Sequence, residues 1–144
     1  MKRRSVIFFL IISALYSSFQ LAAQNPQIQG LISSDTIWQA DTLEITGDVI
    51  IDSNISLTVM PGTFVHITGY YSITSYGIIE AIGTETDSIV FTHLDTLNHN
   101  DTSTIHGGWH GIRFDNTPAT NDSSRISYSI IEYGKSLDYD NIDE

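Results

Sequence analysis

Short runs of alternating apolar residues, separated by glycine or Pro-Gly, constrain this chain more than any other feature. One run extends from Leu57 to Ile67, a second run of the same length follows from Ser72 to Ile82, and a shorter run extends from Ser88 to Thr92. A strand of four or five residues cannot bury its apolar face alone, whereas a stack of similar strands builds one continuous core. The sequence therefore predicts an all-β chain made of many short strands.

The segment from Met1 to Ala23 has the three parts of a secretory signal peptide. Basic residues fill positions 2–4, an apolar run follows from Val6 to Tyr16, and small residues end the segment at Ala23. The alternative is a transmembrane anchor, but the apolar run is about half of the roughly 20 residues that such a helix needs. We therefore expect cleavage after Ala23 and a bacterial protein that is secreted or held at the cell surface, with no transmembrane span in the mature chain.

Charge and cysteine content exclude several classes of function. After Ala23 the fixed cations are Arg113, Arg125 and Lys135, while all 17 Asp and Glu residues remain, which gives a net charge of −14. Such a chain repels phosphate backbones, so we expect no nucleic-acid partner. The chain also has no cysteine, which excludes thiol catalysis and cysteine-based zinc sites.

The sequence predicts strands over nearly all of the mature chain and predicts no helix. Ile55–Val59 alternates cleanly, with its odd-numbered residues on one face. Pro61-Gly62 predicts a turn, because proline presets φ and glycine accepts the positive φ that follows. In the next strand, Phe64–Thr68, apolar residues occupy both faces, so the period does not decide which face is buried.

The spacing of similar segments separates two architectures. The segments recur at irregular intervals: 55–58 matches 71–74, 65–67 matches 90–92, and 89–91 matches 112–114. A parallel β-helix tolerates such irregularity because loops of variable length lie at the corners of its coils, whereas a β-sandwich has more even strand spacing. We expect a parallel β-helix (a solenoid), with a β-sandwich as the alternative.

Five motifs add a family resemblance. They are LTVMPGT at 57–63, GIIEAIGT at 77–84, DSIVFT at 87–92, GWHGIRF at 108–114 and ISYSIIEY at 126–133. In this order they resemble the N-terminal portion of secreted bacterial right-handed parallel β-helix repeat proteins of the pectate-lyase-like superfamily. The chain departs from that pattern at Asp87-Ser88, where Asp-Pro is usual. The resemblance implies a right-handed coil that is incomplete at its C-terminus.

These observations divide the chain into four parts. We expect a signal peptide at 1–23, a lead-in and cap at 24–40, coils at 41–134 with a loop insertion at 93–108, and an acidic tail or truncated coil at 135–144. Open coil edges can pair with other chains, so we also expect association through the coil ends.

Trp109 is the most prominent single residue, because a large aromatic ring lies between glycines. We interpret it as a structural residue that fills a wide corner of the coil, with a glycan-stacking surface as the alternative. Met60 and Phe64 are interpreted as core residues in the same way. The other structural residues predicted from the motifs are Pro61, Gly62, Gly111, Ile112 and Phe114.

The insertion at 93–108 gathers side chains that could bind a metal: His93, Asp95, His99, Asp101, His106 and, just beyond, His110. The histidine spacings of six, seven and four match no standard zinc pattern, and the segment lacks the glycine and distal glutamate of a calcium loop. We therefore predict a solvated loop, no metal and no cofactor.

The family resemblance also raises the question of catalysis. Lyases of this superfamily place aspartates for calcium and a basic residue on an outward sheet face, and here Arg113 lies beside Asp115, with Arg125 further on. A surface ion pair explains the same residues more simply. We predict a structural or binding scaffold without catalysis whose partners are polysaccharides or cell-surface components. The alternative is the N-terminal fragment of a polysaccharide lyase or glycosidase.

Four tripeptides have the order Asp, hydroxyl residue, aliphatic residue; they begin at Asp35, Asp41, Asp87 and Asp95. The pattern resembles the O-glycosylation signal of some Gram-negative bacteria, which would fit an exported protein.

Overall fold

The computed structural model describes residues 24–116 and 123–138, so the predicted signal peptide and the end of the acidic tail lie outside the described residues. Within these ranges the chain is all-β and has no helix, and therefore none that could cross a membrane. The strands are β1 (Gln27–Ile32), β2 (Thr36–Trp38), β3 (Thr42–Ile51), β4 (Ser56–Val59), β5 (Phe64–Ile67), β6 (Ser72–Ser75), β7 (Ile78–Ile82), β8 (Ile89–Thr92), β9 (Gly111–Phe114), β10 (Arg125–Ser127) and β11 (Ser129–Ile131).

Every strand pairing in the described ranges is parallel. The larger sheet has the order β11-β8-β5-β3-β6-β9, with β1 also paired to β3, and the smaller sheet has the order β10-β7-β4-β2. The parallel pairing is compatible with a solenoid and differs from the antiparallel sheets of the β-sandwich alternative.

The chain repeats one circuit, which we call a turn. The long strand β3 pairs through its first half with β5 and through its second half with β6. After β3, the chain forms β4 in the smaller sheet. It then returns to the larger sheet as β5 and β6 and adds β7 to β4 in the smaller sheet. Each later strand is thus hydrogen-bonded to the strand one turn before it.

The pairing register corrects the repeat expected from the sequence. Leu57 pairs with Ile79, Val65 with Phe91 and Ile73 with Ile112, so the spacing between paired residues widens along the chain. The expected match of 55–58 with 71–74 aligned β4 with β6, which lie in different sheets. Short alternating strands resemble one another whichever sheet they join, whereas the length of each corner is free to vary.

The core is a set of apolar ladders that run from turn to turn. In the larger sheet Leu43, Val65 and Phe91 are in register, and each is at most 3% exposed. The smaller sheet contributes a second ladder of three buried residues: Trp38, Val59 and Ala81. Full burial of a large apolar side chain stabilises the fold by about 1.5–3 kcal/mol, so these ladders hold the turns together.

The ladders also decide which face of residues 64–68 is buried. Val65 and Ile67 are fully buried, whereas Phe64 is half-buried on the opposite face of β5. Met60 is likewise half-buried, because it follows Val59, the last inward residue of β4. The structure thus corrects the prediction that Phe64 and Met60 are core residues.

Glycines form the corners that connect the strands. Thr63 N donates to Met60 O at 3.3 Å across the predicted Pro61-Gly62 turn, and Gly62 has a φ of 77°. At the next corner, a Cβ added to Gly77 would lie 2.2 Å from the carbonyl oxygen of Ile55. Two backbone segments approach too closely there for any side chain.

Candidate functional site

A pocket of about 390 Å³ opens where the insertion at 93–108 meets the corner at 68–71. Its volume lies within the range typical of small-molecule sites. The side chains that form most of its wall are Tyr70, Tyr71, His93, Asp95, Ile105 and His106. Two segments that are distant in sequence therefore form one concave surface.

Lys135 holds the insertion in place. Its side chain is buried, and Nζ donates to the carbonyl oxygens of Asn98 at 3.0 Å and His106 at 2.6 Å. These acceptors offset the cost of taking an ammonium group out of water. The Tyr70 hydroxyl donates to the carbonyl oxygen of Lys135 at 3.0 Å, so the corner and the insertion are fixed to the same segment.

Trp109 closes the insertion against the core. Its side chain is fully buried, and Nε1 donates to the carbonyl oxygen of Glu132 at 2.8 Å. Its backbone forms a parallel bridge with Gly134. With no exposed surface, the ring cannot stack against a sugar, so the structure contradicts the glycan contact considered at Trp109.

Among the residues that line the pocket, His93 has an unusual environment for a polar side chain. It directly follows Thr92 at the end of β8, and its side chain is 6% exposed. Its Nδ1 atom is buried and has no hydrogen-bond partner among the described residues. Leaving a buried polar group unpaired costs about 1–3 kcal/mol, so such atoms are uncommon in folded proteins.

A polar ladder lies beside the pocket in the larger sheet. Glu44, His66 and Thr92 are in register, and Thr92 Oγ1 donates to Glu132 Oε1 at 2.8 Å. Burial lowers the pKa of His66 below its ordinary value, Glu44 acts in the opposite direction, and His93 adds to the lowering. The electrostatic effect of His93 on His66 connects the pocket to this ladder.

The remaining polar residues of the insertion stabilise the loop itself. His99 Nδ1 is hydrogen-bonded to the carbonyl oxygen of Gly107 at 3.0 Å, and His110 stacks on Tyr70 at 5.0 Å between ring centres. Hydrogen bonds from the Ser103 hydroxyl and backbone N–H lower the pKa of Asp101. Within 24–116 and 123–138, no group of three or more His, Cys, Asp or Glu residues could hold a metal ion.

Arg113 and Arg125, the cations considered for catalysis, lie in different sheets. Arg113 is an exposed residue of β9 in the larger sheet. Arg125 lies in β10 of the smaller sheet and forms an ion pair with Glu80 at 2.6 Å. The two arginines therefore do not lie on one sheet face.

The end of the GWHGIRF motif departs from its predicted structural role. Gly111 has a φ of 94°, which favours glycine, and Ile112 packs against the core. Phe114 aligns with buried Ile51 and Ser75, yet it is 49% exposed. Phe114 was predicted to be a structural residue, and it occupies an inward position in the last described turn, where no later strand of the described residues covers it.

The four Asp-hydroxyl-aliphatic tripeptides differ in accessibility. Thr96 is exposed within the insertion, whereas Thr36, Thr42 and Ser88 are half-buried in or beside strands. Thr96 is therefore the hydroxyl among them that a modifying enzyme would reach most easily.

Neither the corner at 68–71 nor the anchoring role of Lys135 was predicted from the sequence. The adjacent aromatic residues Tyr70 and Tyr71, which follow Gly69 at a corner, were the available signal.

Comparison with protein-family models, with curated proteins and with solved structures found no match to this chain.

Proposed function

We propose that this chain forms a secreted, right-handed parallel β-helix of the pectate-lyase-like kind, which acts as a carbohydrate-binding scaffold without catalysis. The observation that supports it best is the repeated circuit, in which parallel strands stack turn upon turn around apolar ladders. The right-handed sense follows from the rule that parallel crossover connections have that hand in about 98% of cases.

The scaffold role rests on how the insertion is held. Stacked turns keep their corners at fixed positions, and binding residues are often found on loops that a rigid framework supports. Here Lys135 anchors the insertion at Asn98 and His106, and the buried ring of Trp109 directly follows its last residue. The pocket beside it is thus a persistent surface feature.

The binding role rests on charge and chemistry. The strongly acidic mature chain disfavours polyanionic partners, whereas neutral polysaccharides are compatible with a surface rich in Ser, Thr and Tyr. Arg113 and Arg125 lie in different sheets, which supports a scaffold over a lyase fragment in which both would serve one site.

Export is tested by expressing the full chain in a Gram-negative host and measuring the intact mass of the protein in each cell fraction. We expect a periplasmic or extracellular product that begins at Gln24. A product that keeps the segment from Met1 to Ala23 and stays in the cytoplasm would contradict secretion. A mass above that of the polypeptide would indicate glycosylation.

Binding is tested with the exported protein by electrophoresis in gels that contain neutral soluble polysaccharides such as xylan, mannan or mixed-linkage glucan. We expect slower migration in at least one gel than in a gel without polysaccharide, and no release of reducing ends from that polysaccharide. Unchanged migration in every gel would argue against the binding role, and release of reducing ends would favour the enzyme alternative.

A further inference from the structure

We infer that the pocket between the corner at 68–71 and the insertion at 93–108 binds one ring of a neutral sugar, with a ring hydroxyl hydrogen-bonded to the imidazole of His93. This inference rests on the proposed function and deepens it, because it assigns the carbohydrate contact to a defined pocket in place of Trp109.

The walls of the pocket suit the two chemical characters of a sugar ring. Tyr71 and Ile105 supply apolar surface for the C–H groups of the ring, while Thr68 and Asp95 supply oxygen atoms for its hydroxyls. A pocket with mostly apolar walls and a few polar groups is the usual form of a small-molecule site. The volume of about 390 Å³ suits one ring better than an extended chain.

His93 indicates which kind of group the pocket receives. Its Nδ1 atom is unpaired, and it donates or accepts a hydrogen bond according to the tautomer of the ring. A hydroxyl group does both, so it satisfies either tautomer, whereas an ammonium group only donates and a carboxylate only accepts. Nδ1 is buried in the structure, so this hydrogen bond requires the imidazole to rotate and turn Nδ1 toward the pocket that the residue lines.

Charge further restricts the ligand. The carboxylate of Asp95 lies in the wall, and the buried ammonium group of Lys135 already donates to two carbonyl oxygens. An anionic sugar would meet this carboxylate and the acidic surface of the whole chain. A neutral sugar avoids both repulsions.

The test is an NMR titration of the exported chain with methyl α-glucoside, methyl α-mannoside and methyl α-galactoside, which follows the ¹⁵N resonances of the histidine rings. We expect saturable shifts of the His93 resonances with at least one sugar. Ile105→Trp, which fills the pocket from an exposed loop position, should weaken binding by about tenfold or more. Leu97→Trp is the matched control, since it adds the same ring to an exposed site of the same insertion outside the pocket.

His93→Leu adds a second comparison, because it removes the imidazole and keeps an apolar side chain. We expect it to abolish sugar binding while the far-UV circular dichroism spectrum is retained. Polysaccharide binding that survives both Ile105→Trp and His93→Leu would overturn the pocket assignment and leave the proposed function intact. If the unmodified chain binds neither the methyl glycosides nor the polysaccharides, both the pocket assignment and the proposed function are overturned. Equal weakening by Ile105→Trp and Leu97→Trp would also overturn the assignment.

Discussion

Trp109 joins the insertion to the core through one buried ring and one hydrogen bond. We expect Trp109→Ala to lower the free energy of unfolding by about 3–5 kcal/mol, since it leaves a large cavity. Trp109→Phe keeps most of the ring but loses the bond to Glu132, so it should cost less. Urea denaturation followed by far-UV circular dichroism measures both changes, with Leu97→Ala as an exposed control expected within about 0.5 kcal/mol. A wild-type transition in Trp109→Ala would contradict a core role.

His66 gives a pH dependence with a defined sign. Burial lowers its pKa in the folded state, so the unfolded chain binds the proton first as the pH falls. Stability should therefore decrease from about pH 6.5 down to the folded pKa and show no further loss from His66 below it. Thermal unfolding measured from pH 7.5 to pH 5 tests this. His66→Gln should flatten that part of the profile, and an unchanged slope in the variant would show that another group is responsible.

The burial of individual residues was predictable only where one face of a strand is polar. Leu57 and Val59 alternate with Ser and Thr, and the predicted inward face is the buried one. Phe64 has an apolar neighbour, so its position depends on which residue the adjacent turn places in register. The burial of His93 depends on the same register and leaves no local signal in the sequence.

Gly77 shows how strictly the corners limit the chain. A Cβ at this position would lie within 2.5 Å of the carbonyl oxygens of Ile55 and Asp52. We expect Gly77→Ala to destabilise the fold by about 1–3 kcal/mol through displaced backbone. Gly134→Ala is the control, because nothing lies within 4 Å of its added Cβ, and its effect should stay within about 0.5 kcal/mol. Equal unfolding midpoints for the two variants in urea would contradict the close approach.

The bounds of strands and loops could be predicted where a local sequence signal marks them. The Pro61-Gly62 turn is local, and so is the loss of alternation that bounds the insertion after Thr92. The pocket is not local, because the corner at 68–71 and the insertion become neighbours only after one turn stacks on another. The sequence predicted a solvated loop without a metal, but it gave no sign that His99 would be hydrogen-bonded to the carbonyl oxygen of Gly107 within that loop.

The two ends of the described stack differ in how they expose strand edges. At the N-terminal side, β1 carries an irregularity between Ile28 and Gly30, where Gly30 has a φ of 88°. Such bulges discourage pairing with another chain. At the other side, Phe114 and Ile131 occupy inward ladder positions but remain 49% and 47% exposed. The last described turn is therefore the end that pairs more readily with another chain.

This asymmetry predicts limited association of the chain in solution. Two copies should pair through the exposed apolar residues of the last described turn, and the protected edge of β1 should prevent longer assembly. Sedimentation equilibrium over a range of concentrations should then show a monomer and a dimer. Ile131→Lys should yield monomers, because it adds a charge to the open apolar ladder, whereas Leu31→Lys at an exposed site in β1 should leave the dimer unchanged. Species larger than the dimer, or dissociation caused by Leu31→Lys, would mean that the β1 edge also takes part in assembly.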